Sequence, residues 1–409
     1  MTGSKPRTSS LAPAARLFLG LFLSAVSGTF AGAFSAPCHV QAEASAGQKA
    51  DQKNIVLKTM GSFFFGGTVQ TLENGVTFHG DHGYAQYYIP AQAKNYPIIM
   101  WHGIGQSGKT FESTPDGREG YQAILTRRGW AVYIMDQPRR GRAGRTLAAQ
   151  GKAASPTVLL ESAAWDAFRF GLWVPPAAPK AFPTLAQPLD GASVNQFFRQ
   201  QTPDTGAEPD KAYLAKTAAC LLERTGPAIL MTHSRSGMYG WATAMERPDL
   251  VKAVVAYEPG HYVFPEGEIP EDIPRGSLHV TAMDTPTVPL EEFKKLTRMP
   301  IVIIYGDNIA KDVTGVFNSE VWRAASLRGR QFAAAVNRHG GDARIVFLPE
   351  LGMHGNTHVP FADLNNLQVA DHLEGWLHEK GLDKTDAPHQ GPGREKMPLT
   401  IPLAQQPAQ

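Results

Sequence analysis

The sequence predicts an α/β fold, a mostly parallel sheet covered by helices on both faces. Three observations carry this. Short apolar runs recur at residues 97–101, 130–135, 227–231, 251–257, 300–305 and 344–348. Most are separated by segments whose apolar residues fall at helical spacing. The runs are continuously apolar rather than alternating, as expected of strands buried on both faces.

In chain order, residues 61–90 read as a hairpin-rich opening. Phe63-Phe-Phe65, Val76-Thr-Phe78 and Tyr84-Ala-Gln-Tyr-Tyr-Ile89 are β-prone and punctuated by Gly and Asn. Strand 97–101 follows, then a helix from Gly120 that stops at Gly129, then strand 130–135. Asp210 to Arg224 predicts an amphipathic helix with Tyr213, Leu214, Ala218 and Leu221 on one side. Strand 227–231 leads into a helix from Ser236 that Pro248 ends. Strand 251–257, strand 300–305, a helix over 319–338, strand 344–348 and a helix over 364–380 complete the pattern. Two long interruptions stand out. Residues 146–209 hold Trp165, Phe168, Phe170, Trp173, Phe182, Phe197 and Phe198, an aromatic density that argues against disorder and for a cap over a site or a small satellite core. As a cap, the segment Trp165–Trp173 is expected to matter more for large apolar acyl groups than for acetate. Residues 261–298 are rich in Pro and acid.

The 409 residues suffice for one large core, and 43% are apolar against 19% charged. A net charge of +2 offers nothing to attract a nucleic acid. Lys5, Arg7 and Arg16 precede the apolar run Leu17–Val26 and a stretch of small residues, the layout of a secretory signal. Residues 1–46 are therefore read as a removable leader, with cleavage near 44–46 and a periplasmic or secreted mature protein. An uncleaved anchor is the competing reading. Cleavage would take Cys38 and leave Cys220 alone, so no internal disulfide is expected. The folded domain is read as 47–381, with no membrane span, and residues 382–409 as a disordered tail.

The chemistry points to Thr232-His-Ser-Arg-Ser236, placed between a buried strand and a helix. Its spacing is that of a Gly-x-Ser-x-Gly nucleophile turn, with Thr and Ser where Gly is usual. The motif alone does not separate a nucleophile from a polar helix start, since Ser236 suits an N-cap in either case. Order along the chain adds weight, because a nucleophilic Ser needs a base, an acid that orients it and donors for an oxyanion. After Ser234, one strand ends in Glu258-Pro259, another in Gly306-Asp307, and a third leads into Leu351-Gly-Met-His-Gly-Asn-Thr-His358. Earlier, His102-Gly-Ile-Gly105 follows a strand, and its glycines let the Ile104 amide turn inward. The Arg235 amide is the second donor.

These residues resemble the α/β-hydrolase superfamily. More narrowly they resemble the branch of secreted bacterial esterases typified by the Alcaligenes esterase. The resemblance spans roughly residues 60–380. It rests on Gly61-Ser-Phe-Phe-Phe-Gly-Gly67, His102-Gly103, Thr114-Pro-Asp-Gly-Arg118, Asp136-Gln137 with Gly141-Arg142, and Thr232-His-Ser-Arg-Ser-Gly237. Glu258-Pro259, Tyr305-Gly-Asp-Asn308, Gly355-Asn-Thr-His358, Asn365-Asn366 and Val369-Ala-Asp371 complete it. It implies Glu258 as the acid and His358 as the base. Ile104-Gly105 stands where that branch's type enzyme has adjacent cysteines, so chemistry tied to such a pair is not expected. Position in the loop before the last helix also favours His358 over His354, which is left as a pocket residue. Asp307 remains the alternative acid, or a turn residue bonding its own backbone.

Two further clusters compete for attention. His79-Gly-Asp-His82 lacks a third ligand and reads as a surface turn rather than a metal site. Arg139-Arg-Gly-Arg-Ala-Gly-Arg145 reads as a locally bonded loop rather than an anion clamp. No cofactor motif is present. The expected activity is a serine hydrolase cleaving a small-molecule ester through an acyl-enzyme. An amidase, lactonase or thioesterase would share the same groups, and a non-catalytic periplasmic binding protein is the rival outside enzymes. The assembly state is left open, with a homodimer among the options.

Overall fold

The apolar runs assemble side by side. In the computed structural model, which describes residues 54–146, 156, 158–207, 209–268 and 270–394, they form an eight-stranded sheet. Its strands are β1 (Leu57–Phe65), β2 (Gly83–Pro90), β3 (Ile98–Trp101), β4 (Val132–Asp136), β5 (Ala228–His233), β6 (Val251–Tyr257), β7 (Pro300–Tyr305) and β8 (Asp342–Phe347). The order across the sheet is β1-β2-β4-β3-β5-β6-β7-β8. Strand β2 runs antiparallel to both neighbours, and all remaining pairs are parallel.

The helices are α1 (Tyr121–Arg127), α2 (Glu161–Ala167), α3 (Gly191–Arg199), α4 (Lys211–Thr225), α5 (Ser236–Glu246), α6 (Leu290–Lys294), α7 (Phe317–Arg338) and α8 (Asn366–Glu379). Successive strand residues face opposite ways, so each apolar run feeds two cores. Ile99, Trp101, Leu230, Val254 and Ile303 enter the core that also takes Leu221 of α4, Trp241 of α5 and Phe332 of α7. Ile98, Met100, Met231, Val255 and Ile304 enter the one that takes Ile124 of α1 and Leu373 and Trp376 of α8. Local signals set the helix ends. Asp210 accepts the Tyr213 amide at 2.9 Å to cap α4, and Gly226 at φ 70° ends it.

Both long interruptions carry structure. The first holds α2, α3 and a short strand pair, Gly171–Leu172 with Lys180–Ala181. Its Trp165, Phe168, Phe170 and Phe197 are buried in the same core as Trp130 and Trp376. The aromatic insertion is thus continuous with the main core rather than a separate satellite. The second holds Phe264–Pro265 paired with Thr287–Val288, and α6.

Residues 382–394 depart from the expectation of an unstructured tail. They run back against the strands: Asn95 N–H donates to Lys384 O at 2.8 Å, His389 N–H to Lys94 O at 3.1 Å, and Gly393 N–H to Arg224 O at 2.7 Å. His389 is buried, with Nε2 2.8 Å from the Tyr133 hydroxyl. These are backbone and single side-chain contacts that a Pro-rich composition does not advertise. The expected leader and residues 395–409 lie outside the described residues. Among the described residues no helix is long and apolar enough to cross a membrane.

Candidate active site

Strand β5 runs into α5 through a turn whose apex is Ser234, held at φ 55°. A left-handed non-glycine residue costs on the order of 1–3 kcal/mol and persists where its surroundings over-determine it. Here Ser234 N–H donates to Tyr257 O at 2.9 Å, and Gly237 N–H to Ser234 O at 3.0 Å. The Ser236 hydroxyl accepts the His233 amide at 2.9 Å and lies 2.9 Å from the Trp101 carbonyl. Ser236 is therefore not the N-cap that the sequence allowed. Arg235 occupies that position without a side-chain cap bond, and Ser236 locks the turn to β3. Thr232 is tolerated where glycine is usual because Gly240 faces it; a Cβ there would sit 2.6 Å from Thr232 Cγ2.

The loop after β3 passes against this apex. A Cβ on Gly103 would stand 2.9 Å from both Ser234 Cβ and His233 Nδ1, so only glycine permits the approach. Gly105, at φ 65°, turns the chain, which leaves Ile104 44% exposed. Arg140 pins the loop: its Nη1 donates to Gln106 O at 2.9 Å and its Nε and Nη2 fork Asp204 at 2.6 and 2.7 Å. Thr202 N–H adds a bond to Gly105 O at 2.8 Å. The rest of the arginine-rich loop also bonds locally, Arg139 to Asp81 and Arg142 to Asp136. Both Asp81 oxygens accept from Arg139, at 2.8 and 2.9 Å.

Glu258 leaves the end of β6 at φ 54° and is fully buried. Its Oε2 lies 3.3 Å from His358 Nδ1. Arg169, a buried residue of the insertion at φ 57°, forks it: Nη1 donates to Oε2 at 2.7 Å and Nη2 to Oε1 at 2.6 Å. The Gly306 amide donates to Oε1 as well. Burial alone would raise the Glu258 pKa; the Arg169 charge and the bonds from His358 and Arg169 outweigh it and bring the carboxyl down to about 2. His358 is lowered from its ordinary 6.5, first by burial and also by the Arg169 charge, against the bond and charge of Glu258. A neutral His358 donates from Nδ1 to Glu258 and keeps Nε2 as an acceptor. The ring is packed by Trp322 at 4.0 Å, His233 at 4.7 Å and Phe168 at 5.4 Å between centroids. The main chain is tied too, by His358 N–H to Phe168 O at 3.0 Å and by His233 Nε2 to His358 O at 2.7 Å. Ser234 is 5% exposed, and among the described residues no hydrogen bond restrains its Oγ.

The two alternative candidates fall together, apart from this pair. Asp307 accepts the Asn308 and Gly355 amides at 2.7 and 2.8 Å, and its Oδ2 lies 3.7 Å from His354 Nδ1. His354 is 60% exposed at its side chain. So the structure brings Glu258 to His358, and Asp307 to His354. A cleft of about 670 Å³ opens beside Asp307 and His354, over Ile309, Leu327 and Phe347, and neither Ser234 nor His358 lines it.

Two buried residues here escaped the sequence. Arg169 is one; the signal that could have found it is a cation between Phe168 and Phe170 in an apolar stretch. Asp363 is the other. It accepts Thr357 N–H at 2.7 Å, Thr357 Oγ1 at 2.8 Å and Asn356 Nδ2 at 3.1 Å, and so shapes the loop that carries His358. Burial pushes its carboxyl up to about 7 in spite of these donors.

A scan of protein-family models finds no match. A solved structure described as a novel bacterial esterase superposes with a TM-score of 0.68 at 30% identity, covering 81% of this chain and 99% of that one. A probable secreted lipase, phiG, from a fungus (strain ATCC 74256) is 28% identical over 317 residues, 73% of this chain and 86% of its own length. With the strand order, the serine turn and this relative across nearly its full length, the chain belongs to the α/β-hydrolase superfamily.

Proposed function

We propose that the chain is a carboxylic ester hydrolase that works through an acyl-enzyme on Ser234. Ser234 Oγ attacks the ester carbonyl carbon while His358 Nε2 takes its proton. Glu258 holds the imidazole by Nδ1–H and so fixes the tautomer that leaves Nε2 to accept. The amides of Ile104 and Arg235, the latter at the start of α5, receive the oxyanion. Collapse breaks the bond to the alcohol, which leaves with the proton from His358. Water attacks the acyl carbon in turn, giving its proton to His358, and the carboxylic acid departs as Ser234 is reprotonated. No cofactor enters these steps.

The observation that carries this reading is the buried Glu258–His358 contact beside a serine strained at a strand-to-helix turn. The unrestrained Oγ fits a resting enzyme, since catalytic hydrogen bonds often tighten only once substrate is bound. That the relatives are named an esterase and a lipase supports esters as the substrate class. The relative named as secreted and the leader-like residues 1–46 support export to the periplasm or the medium.

The test is hydrolysis of p-nitrophenyl acetate and butyrate by the mature protein beside Ser234→Ala, with fluorophosphonate labelling and mass mapping. The expected result is label on Ser234 and a kcat at least about 10³-fold lower in the variant. Turnover by the native enzyme with no label on Ser234 would reject the assignment. Amide, lactone and thioester substrates in the same panel separate the activities that share this acyl chemistry.

A further inference from the structure

We propose that Arg169 is a positioning residue of this reaction: it forks both oxygens of Glu258, keeping that carboxylate aimed at His358 while cancelling the charge that would otherwise hold a proton on the imidazole. The inference rests on the Ser234, His358 and Glu258 assignment above.

An ionised carboxylate with no exposed surface needs a partner, and breaking such a partnership leaves an uncompensated buried charge. Beside the Gly306 amide, Glu258 has two candidates that can carry a positive charge, and they differ in kind. Arg169 gives two short parallel bonds of 2.6 and 2.7 Å, whereas His358 gives one of 3.3 Å. A guanidinium is always charged and matches a carboxylate edge to edge. The stronger partner therefore neutralises Glu258, and His358 meets a carboxylate whose charge is already matched. Without Arg169, the best remaining neutralisation of Glu258 is a proton on His358. The base would then rest protonated, unable to accept from Ser234 until the pH rose.

Arg169 is itself placed for this. Its Nε donates to Asp307 O at 2.9 Å and its Nη2 approaches Thr357 O at 3.3 Å, so the guanidinium spans the ends of β6 and β7 and the His358 loop. No described bond of Arg169 goes to a second carboxylate, so its charge is directed at Glu258.

The other ionisable groups around His358 do not replace it. From β5, His233 is buried and held well below the ordinary histidine range by burial, hence uncharged. From the loop itself, Asp363 spends its oxygens on Asn356 and Thr357. From α7, the residue on the ring is Trp322, and the neighbouring Glu320 and Arg323 pair with each other at 2.7 Å. From the loop after β3, His102 is brought to about 4 by burial and is also uncharged.

The experiment is the pH dependence of Ser234 phosphonylation by a fluorophosphonate, in which the Oγ–P bond forms, fluoride leaves and the serine proton passes to His358. The rate reads His358 protonation without requiring turnover. In the native enzyme the acid limb should lie below pH 6.5. Arg169→Met should move that limb upward by one pH unit or more, about a tenfold further loss of rate at the acid end than at pH 9. Arg169→Lys, which keeps the charge but not the fork, should leave the limb near its native place while lowering the plateau. A native limb at or above pH 6.5, or the same limb in Arg169→Met as in the native enzyme, overturns the proposal. If Arg169→Met does not fold, the native limb and the Arg169→Lys limb decide it. Failure of the parent reading looks different: no phosphonate on Ser234 at any pH.

Discussion

At the scale of single residues, Asp363 shows how a buried group can be read for its protonation. Its Oδ2 accepts two N–H donors, while its Oδ1 meets a hydroxyl, Thr357 Oγ1, that can donate or accept. A proton on the carboxyl leaves this buried site with no charge to hold. The folded-state pKa of about 7 against 3.8 agrees with that arrangement. A raised acid favours the neutral form in the fold, so its contribution to stability is fully present below about pH 4 and is lost as pH rises through 7. Asn presents the same donor and acceptor pattern without titrating. Asp363→Asn should therefore unfold in urea at a midpoint above the native one, with a gap that is small at pH 5 and larger at pH 8. A fall in midpoint at both pH values would mean that the carboxylate, not the acid, is what the loop requires.

Elements are positioned here by close backbone approach. Helix α5 meets β5 at Gly240 over Thr232, and meets the turn after β6 where a Cβ on Gly237 would lie 2.6 Å from Pro259 Cβ. Gly240→Ala pushes the helix off the strand that carries Ser234, a typical overpacking cost of about 1–3 kcal/mol. Thr232→Gly removes the opposing methyl, so the double variant should regain most of that loss in urea unfolding. Additive losses would show that the clash lies elsewhere. The insertion behaves as part of this frame. Removing residues 165–173 would take out Trp165, Phe168 and Phe170 from the core together with Arg169, so it is not the selective test of acyl size that the sequence suggested.

Over the whole molecule, the chain end closes on the sheet. Truncation after Gly381 would remove Leu382 from the core and His389 from the Tyr133 hydroxyl. It is expected to lower Tm by several degrees while leaving ester turnover per folded molecule unchanged, measured by thermal unfolding and p-nitrophenyl butyrate hydrolysis. Equal turnover and unchanged Tm would show the strap to be idle. This strap was illegible in the sequence because its main-chain bonds leave no trace in composition and its side-chain contacts, such as His389 on Tyr133, are scattered singly along a Pro-rich stretch. The strands were legible because a sheet buried on both faces writes itself as continuous apolar runs. Ser234 and Glu258 were legible for the same reason, since Glu258 directly follows such a run and Ser234 lies three residues beyond another. Which acid lies beside His358 and which beside His354 is a matter of distant strand ends, and Arg169 lies 89 residues from its partner, a separation no local pattern reports.

The insertion is fastened in both directions. Arg140 of the body grips Asp204 of the insertion, and Arg169 of the insertion grips Glu258 of the body. Anyone transplanting a foreign segment between β4 and α4 to change substrate range inherits an accounting of charge. The graft must bring its own carboxylate to Arg140 and its own cation to Glu258, or it will strand two buried ions in the recipient.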